Sequence, residues 1–470
     1  MSFEVARCPT GESLTDLRAR VAAAGSPLYL GAGTAGEAFG PPQQGVLALG
    51  PPRSGKTTTL VIPNALIAPG PVVSTSTKVE VMDATWAARA RIGRCWLFDP
   101  AGSTPAPRGV TPLRWSPVPA CRDWEISLLT TRAMVNASRP GGHLGESAHW
   151  IERAEALLAP LLHAAAIDDA GLAQVVRWVN RHDLRTPRAV LSVNDSDMAG
   201  DILAGLAATD KRELSGIWST ASGVLAAYRS PAALELASDP NFDPARLPST
   251  SDSVYICASS RQQGLAAPLV VGLIEQIRAG AYAASAEAAG SGRRPSPPVA
   301  LLLDEAANIA PLPDLPSIVA EGGSQGLTTL ACFQDLSQAH VRWGPAADGF
   351  LSLFGVKVVL PGIGDVRTLD QVSRLAGDHD VPIRSVTRRK WPIGRQGTNV
   401  TLSTRRQPRL PVDAISQLPP GTAILIQGRN PPTWLQLTPW FRTPPFIEAH
   451  PRLELPPIRR DRSAHLGRSL

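Results

Sequence analysis

The sequence predicts an α/β fold, with a nucleotide-binding core on a mostly parallel central sheet interrupted by an inserted all-helical block. Three observations predict it. The apolar run Val46-Leu47-Ala48-Leu49 leads into Gly50-Pro51-Pro52-Arg53-Ser54-Gly55-Lys56-Thr57, a complete G-x-x-x-x-G-K-[ST] phosphate loop. Strand-like and helix-like segments then alternate as far as Pro100, and short continuous apolar runs return at Ser253. Between them, from about Leu113 to Leu247, apolar residues recur at three- and four-residue spacing and strand-like runs disappear.

A strand that ends in such a loop and passes directly into a helix aims backbone N–H groups and the positive end of the helix dipole at one spot, which suits a triphosphate. Gly50, Pro51, Pro52, Arg53, Ser54, Gly55, Lys56, Thr57 and Thr58 are the candidate ATP-binding residues. Lys56 would reach the β- and γ-phosphates as a catalytic cation, and the Thr57 hydroxyl would hold Mg2+. Thr58 to Ile67 reads as the following helix, with Pro63 kinking it or ending its regular part. Pro71 to Ser76 then reads as a strand, Val79 to Ala90 as a helix and Cys95 to Pro100 as a strand. This alternation implies parallel pairing through right-handed crossovers.

In the helical block, Ile151 to Ala166 is the clearest helix, and Pro160 is expected to interrupt or bend it. Gln174 to Asn180 and Ile202 to Ala208 also read as helical, and Asp239-Pro240 and Asp243-Pro244 punctuate the end of the block. Ser253 to Cys257 resumes the sheet, Pro268 to Ile277 is a helix and Ala289 to Pro298 a loop. Val299 to Leu303, Leu327 to Phe333 and Val356 to Leu360 are expected to be strands buried on both faces. The resulting division is an N-terminal extension (1–40), a first nucleotide-binding part (41–112), the all-α insertion (113–248), a second nucleotide-binding part (249–450) and a basic tail (451–470).

The run Val299 to Leu303 ends in Asp304-Glu305. In phosphate-loop ATPases an acidic residue at the carboxyl end of a strand beside the phosphate-loop strand binds Mg2+, and a following glutamate can polarise the attacking water. Asp304 is accordingly the second candidate metal residue, with Thr57, and Glu305 the candidate for water activation. Gln334 follows another buried strand, expected one strand beyond Asp304, where an amide would sense the γ-phosphate.

Composition sets the outer limits. At 470 residues, 43% hydrophobic, with 45 prolines and 40 glycines spread without a period, the chain is globular rather than fibrous. Its five cysteines show no zinc spacing and read as small buried residues in a reducing compartment. The start Met1-Ser2-Phe3-Glu4 carries no signal-peptide pattern, and no uninterrupted apolar stretch reaches membrane-spanning length, so a cytoplasmic protein is expected. The net charge of +6 is unevenly placed: Val381 to Pro411 contains no Asp or Glu but has Arg384, Arg388, Arg389, Lys390, Arg395, Arg405, Arg406 and Arg409. That segment reads either as a solvated loop or as a basic lip touching a nucleic-acid backbone or a neighbouring subunit.

Several of these stretches together resemble the VirD4/TraG/TraD family, the coupling proteins of conjugation and type IV secretion. The resemblance is carried by Ser54 to Asn64 with its Ile-Pro-Asn ending, Ser76-Thr77-Lys78, Leu301 to Ala306 with Leu312-Pro313, and Phe333 to Gln338. Pro411-Val412-Asp413, Leu418-Pro419-Pro420-Gly421 and Gly428 to Pro432 extend it towards the end, so that it covers roughly Gln44 to Phe441. It implies a RecA-like ATPase related to the FtsK and HerA translocases, with an inserted all-α domain that includes Trp124 and Glu146 to Leu158 and recognises DNA-processing partners. It also implies a homo-hexameric ring with ATP between subunits and DNA through the centre. The expected partners are DNA, relaxase or relaxosome proteins and type IV secretion channel components.

Two departures stand beside the match. Relatives usually begin with transmembrane helices, which this sequence lacks, so either a separate partner anchors it at the inner face of the membrane or it works in the cytosol. Many relatives also carry a Gly-Arg pair after the acidic strand, whose arginine reaches the neighbouring subunit's site. Here the segment is Glu321-Gly322-Gly323-Ser324-Gln325-Gly326, with glycine in the arginine's place and Arg367 and Arg374 as substitute candidates. Besides an ATP-driven DNA translocase, the sequence therefore admits an ATP-dependent docking module that pumps nothing, or a HerA/FtsK-type translocase.

Overall fold

The computed structural model describes residues 11–449 except 35, 139–145, 260, 262 and 390–396. Ten strands precede the basic segment: β1 (Tyr29–Gly33), β2 (Gly36–Phe39), β3 (Val46–Leu49), β4 (Val72–Ser76), β5 (Cys95–Phe98), β6 (Val110–Pro112), β7 (Ser253–Cys257), β8 (Val299–Leu303), β9 (Leu327–Phe333) and β10 (Val356–Val359). The segment itself forms β11 (Asp378–Arg389) and β12 (Gly397–Pro408), and β13 (Thr422–Gln427) and β14 (Thr433–Gln436) follow. Twelve of these make one sheet in the order β2-β1-β14-β13-β10-β3-β9-β8-β4-β7-β5-β6. The eight strands from β10 to β6 run parallel, and the four at the other end pair antiparallel.

Alternation along each strand divides the core. Leu47, Leu49, Leu301 and Leu303 join the cluster on one face, and Val46, Ala48, Ala300 and Leu302 join the cluster on the other. The second face is covered by α1 (Leu14–Ala23), α2 (Ile62–Ile67) and α3 (Glu80–Arg89). On the first face lies the block α4 (Trp124–Ser138), α5 (Glu146–Ile167), α6 (Leu172–Arg181), α7 (Arg185–Val193), α8 (Asp197–Ala207), α9 (Lys211–Val224) and α10 (Pro231–Leu236), together with α11 (Gln263–Gly290). After them come α12 (Leu315–Glu321), α13 (Leu336–Trp343), α14 (Phe350–Leu353), α15 (Val366–Ala376) and α16 (Val412–Ser416). The long α11 is apolar enough to cross a membrane, but 78% of its apolar stretch is buried inside the protein. Gln276 of α11 anchors the helical block, accepting from Trp115 Nε1 at 3.0 Å and donating to the Pro117 carbonyl at 3.1 Å.

The sequence expectations meet this architecture with several corrections. Asp304 does not lie on a strand next to the phosphate-loop strand: β9, which ends at Gln334, sits between β3 and β8. Gln334 is thus flanked by the two motifs rather than placed beyond Asp304. All these strands are short, mostly apolar and buried along their whole length, so nothing in their composition encodes their lateral order. Pro63 does not end the phosphate-loop helix. A π turn over Thr57–Val61, closed by Ile62 N–H to the Thr57 carbonyl, runs straight into α2 with Pro63 at its second position, where a missing N–H costs little. Nor does Pro160 interrupt α5, whose Leu157, Leu158, Leu161 and Leu162 are all buried.

Residues 11–40, read as an extension, supply α1 and the strands β1 and β2 at the sheet edge. Val110–Pro112 adds a strand that the sequence reading had not placed. The basic segment is no loop but an antiparallel ribbon, β11 with β12, outside the main sheet. Cys95, Cys121, Cys257 and Cys332 are buried and free; Cys8 and the tail 451–470 lie outside the described residues.

Candidate nucleotide site

Parallel strands deliver their carboxyl ends to one edge of a sheet, and this is where ligands bind in open α/β folds. Here β3, β9, β8 and β4 lie side by side and end at the phosphate loop, Gln334, Asp304 and Thr77 respectively. Their ends surround a cavity of about 390 Å³, lined by residues 52–58 of the loop, Ser76, Thr77, Lys78, Glu80, Asp304, Glu305, Cys332, Phe333 and Gln334. A larger cavity of about 670 Å³ opens between Ala22–Ser26, α11 and Arg294–Pro298. Its only ionisable lining residue is Arg294, so it offers no carboxylate for a cation beside a phosphate.

Local geometry explains the loop sequence. A β-carbon on Gly50 would lie 2.7 Å from Ser54 Oγ and 2.8 Å from Leu360 Cβ, and Gly55 adopts φ +101°, so both positions require glycine. Arg53 takes φ +65° without being glycine, a cost of order 1 kcal/mol accepted to turn the loop. The Lys56 ammonium donates to the carbonyls of Gly50 and Pro51, the latter at 3.0 Å, and burial lowers its pKa while Asp304 and Glu305 oppose that shift. Ser54 Oγ is buried with no hydrogen-bond partner. An unpaired hydroxyl and an ammonium folded back on its own loop are groups that a phosphate oxygen satisfies.

The two motifs meet. Thr57 Oγ1 donates to Asp304 Oδ2 at 2.7 Å, across 247 residues of sequence. Asp304 is only 6% exposed, and burial pushes its carboxyl up to about 6, against the pull of the Thr57 hydrogen bond and of Lys56. No helix begins directly after Asp304. A turn does, with Glu305 at φ +55° and the Asn308 and Ile309 N–H groups donating to its carbonyl, and the next helix starts at Leu315. Asp304 therefore caps no helix. Gln334 lines the cavity, and its backbone N–H donates to Gln338 Oε1 at 3.2 Å.

Sequence reasoning assigned no chemistry to Lys78 and Glu80, both of which line the cavity; Glu80 also raises the Asp304 pKa. Their signal was their place just after a strand in a parallel sheet that already holds the phosphate loop. The glycine in the arginine's place also has a structural reason. A β-carbon at Gly323 would lie 2.0 Å from the Gln43 carbonyl oxygen, so no side chain fits there. Arg374 pairs with Asp370 at 2.9 Å on α15, and neither it nor Arg367 lines the chain's own phosphate cavity.

Comparison with known proteins places this geometry. The family described as type IV secretory system conjugative DNA transfer matches residues 11–457. The chain belongs to that family. Among solved structures, the bacterial conjugative coupling protein TrwBdeltaN70 in an unbound form is 18% identical with a TM-score of 0.63, covering 85% of this chain and 87% of that one. TrwB in complex with ADP and Mg2+, and TrwB with a non-hydrolysable ATP analogue, are each 17% identical with TM-scores of 0.61, covering 84% of this chain and 86% of theirs. Among curated proteins nothing matches the sequence. The family member described here thus shares the TrwB fold, a mostly parallel RecA-like core carrying an all-helical insertion.

Proposed function

We propose that this protein is an ATP-hydrolysing coupling protein that drives DNA or nucleoprotein into a conjugative type IV secretion system. The observation that carries the proposal is the 2.7 Å contact between Thr57 and Asp304, which brings a phosphate loop and an acidic strand end to one point. Family membership and the nucleotide complexes of TrwB support the same reading.

In this reading the loop residues from Gly50 to Thr58 cradle ATP, and Lys56 leaves the Gly50 and Pro51 carbonyls for the phosphates. Thr57 and Asp304 hold Mg2+, which when bound neutralises developing charge on the phosphate oxygens. Glu305, on its left-handed turn beside Asp304, orients and deprotonates the attacking water, and Gln334 senses the γ-phosphate between the two strands. A homo-hexameric ring would pass DNA through its centre, with relaxosome and channel proteins as partners at the cytoplasmic face of the membrane. Lys56→Ala is expected to abolish binding of a fluorescent ATP analogue and reduce turnover to background. Turnover unchanged in that variant would overturn the site assignment.

A second reading is favoured by Gly323, where no arginine fits. An arginine supplied in trans is worth about 10³-fold or more in rate. Without one, the protein would act as an ATP-dependent docking module, and its turnover would not rise when single- or double-stranded DNA is added. DNA-stimulated turnover decides for the translocase.

A further inference from the structure

The ribbon of β11 and β12 pairs only with itself, in register from Asp378 opposite Pro408 to Arg389 opposite Gly397. At about 3.3 Å per residue its twelve-residue strands give an arm roughly 40 Å long. Its charge is exceptional within the chain. Residues 378–411 hold eight Lys and Arg against two Asp, while the other residues carry 38 of each sign. The net charge of this segment equals that of the whole protein; its two strands themselves carry Arg384, Arg388, Arg389, Arg405 and Arg406, and the only two acids, Asp378 and Asp380, sit at the root of the ribbon.

Its faces are sorted as well. Side chains alternate along a strand, so positions 384, 386, 400, 402 and 406 share one face. That face carries Arg384, Arg406 and three exposed apolar residues: Val386 directly opposite Val400, and Leu402, 76% exposed, opposite Arg384. Arg406 Nε is braced at 3.1 Å by Asp378 Oδ2. The opposite face presents Arg405 with Ser385, Thr401 and Ser403, all exposed.

We propose that this arm is a binding site for duplex DNA. Uncompensated like charges on one ribbon repel each other and weaken it, and a polyanion removes that penalty. A two-stranded ribbon fits the roughly 12 Å width of the major groove, where the apolar row packs on thymine methyl groups with Arg384 and Arg406 beside it on phosphates, while Arg405 on the outward face is long enough to reach a phosphate of the groove wall. The inference rests on the reading that the protein handles DNA, but every observation behind it lies outside the nucleotide site.

The test uses the full-length protein and a fluorescent duplex of about 30 base pairs, titrated from about 50 to about 300 mM salt. Arg384→Gln, Arg405→Gln and Arg406→Gln combined are expected to weaken binding at least about tenfold at low salt and to flatten the slope of log affinity against log salt by about 3. Val386→Thr with Leu402→Ser is expected to weaken binding without changing the slope, because it removes no phosphate contact. Binding of the ATP analogue, measured on the same samples, should match wild type in both variants, which separates a failure of the arm from a failure of the nucleotide site. Unchanged affinity and slope in the arginine variant would overturn the inference, including the case where that variant keeps DNA but loses an acidic protein partner.

Discussion

At the scale of single residues, Asp304 combines the metal-binding position proposed above with a penalty for burying its charge. Its carboxyl sits at about 6 in the fold against 3.8 when free, because burial disfavours the ion. The folded state therefore binds the proton more tightly than the unfolded chain does. That contribution is complete below about pH 4 and is lost as pH rises through 6. Asp304→Asn removes the ionisation. Without nucleotide or Mg2+, the variant should be more stable than wild type at pH 8, by up to about 2–3 kcal/mol, and equal to it at pH 4, as urea titrations at the two values will show. The same variant should lose Mg2+-dependent ATP binding, so the side chain that weakens the empty fold is the one the metal needs.

At the scale of elements, the phosphate-loop helix is fastened to the sheet edge by one side chain. Asn64 Oδ1 accepts from the Tyr29 N–H at 2.7 Å, and Asn64 Nδ2 donates to the carbonyls of Tyr29 and Leu60, both at 2.9 Å. The amide replaces a strand neighbour for the first residue of β1. Asn64→Leu would leave the buried N–H and carbonyl of Tyr29 without partners, at about 1–3 kcal/mol each. The expected result is a urea midpoint lowered by a matching amount, together with weaker ATP-analogue binding, since the helix that presents Thr57 loses its tether.

Asn64 also marks the boundary of what the sequence could reveal. The phosphate loop, the helical block and the acidic strand end were legible because each is written in a contiguous stretch whose local chemistry has one purpose. The order β3-β9-β8 was not, since all three are fully buried strands and exchanging them changes no local preference. Buried polar ties were equally silent. Arg89, fully buried, donates to Ser253 Oγ at 2.7 Å and to the carbonyls of Ala68, Gly70 and Ser251, yet in sequence it is simply a basic residue ending a helix. Pro63 and Pro160, each read as bending its helix or breaking it, break neither: a π turn precedes the one, and the other lies inside a helix whose leucines are buried.

At the scale of the whole molecule, the Gly322-Gly323 segment ties the end of α12 to the chain entering β3. Gly323 lies against the Gln43 carbonyl, so restoring the arginine common in relatives is not a neutral exchange. Gly323→Arg is expected to lower stability by about 3 kcal/mol or more and to leave ATP turnover no faster than wild type, as thermal melting and a phosphate-release assay will show. Charge is partitioned on the same scale: outside residues 378–411 the two signs balance, and the excess of the protein equals that of this one segment.

The two extremities of the described chain are woven together at one side of the sheet. Leu14 N–H donates to Glu448 Oε2, and β1 lies between β2 and β14. Beginning expression at residue 41, just ahead of the phosphate loop, would strip β14 of its neighbour and leave its outer row of N–H and C=O groups bare. An uncovered rim of that kind recruits other chains into intermolecular sheets. Shortened versions of this protein should therefore precipitate while every residue of the proposed nucleotide site is still present, and lost turnover in such a preparation would report on clumping rather than on chemistry.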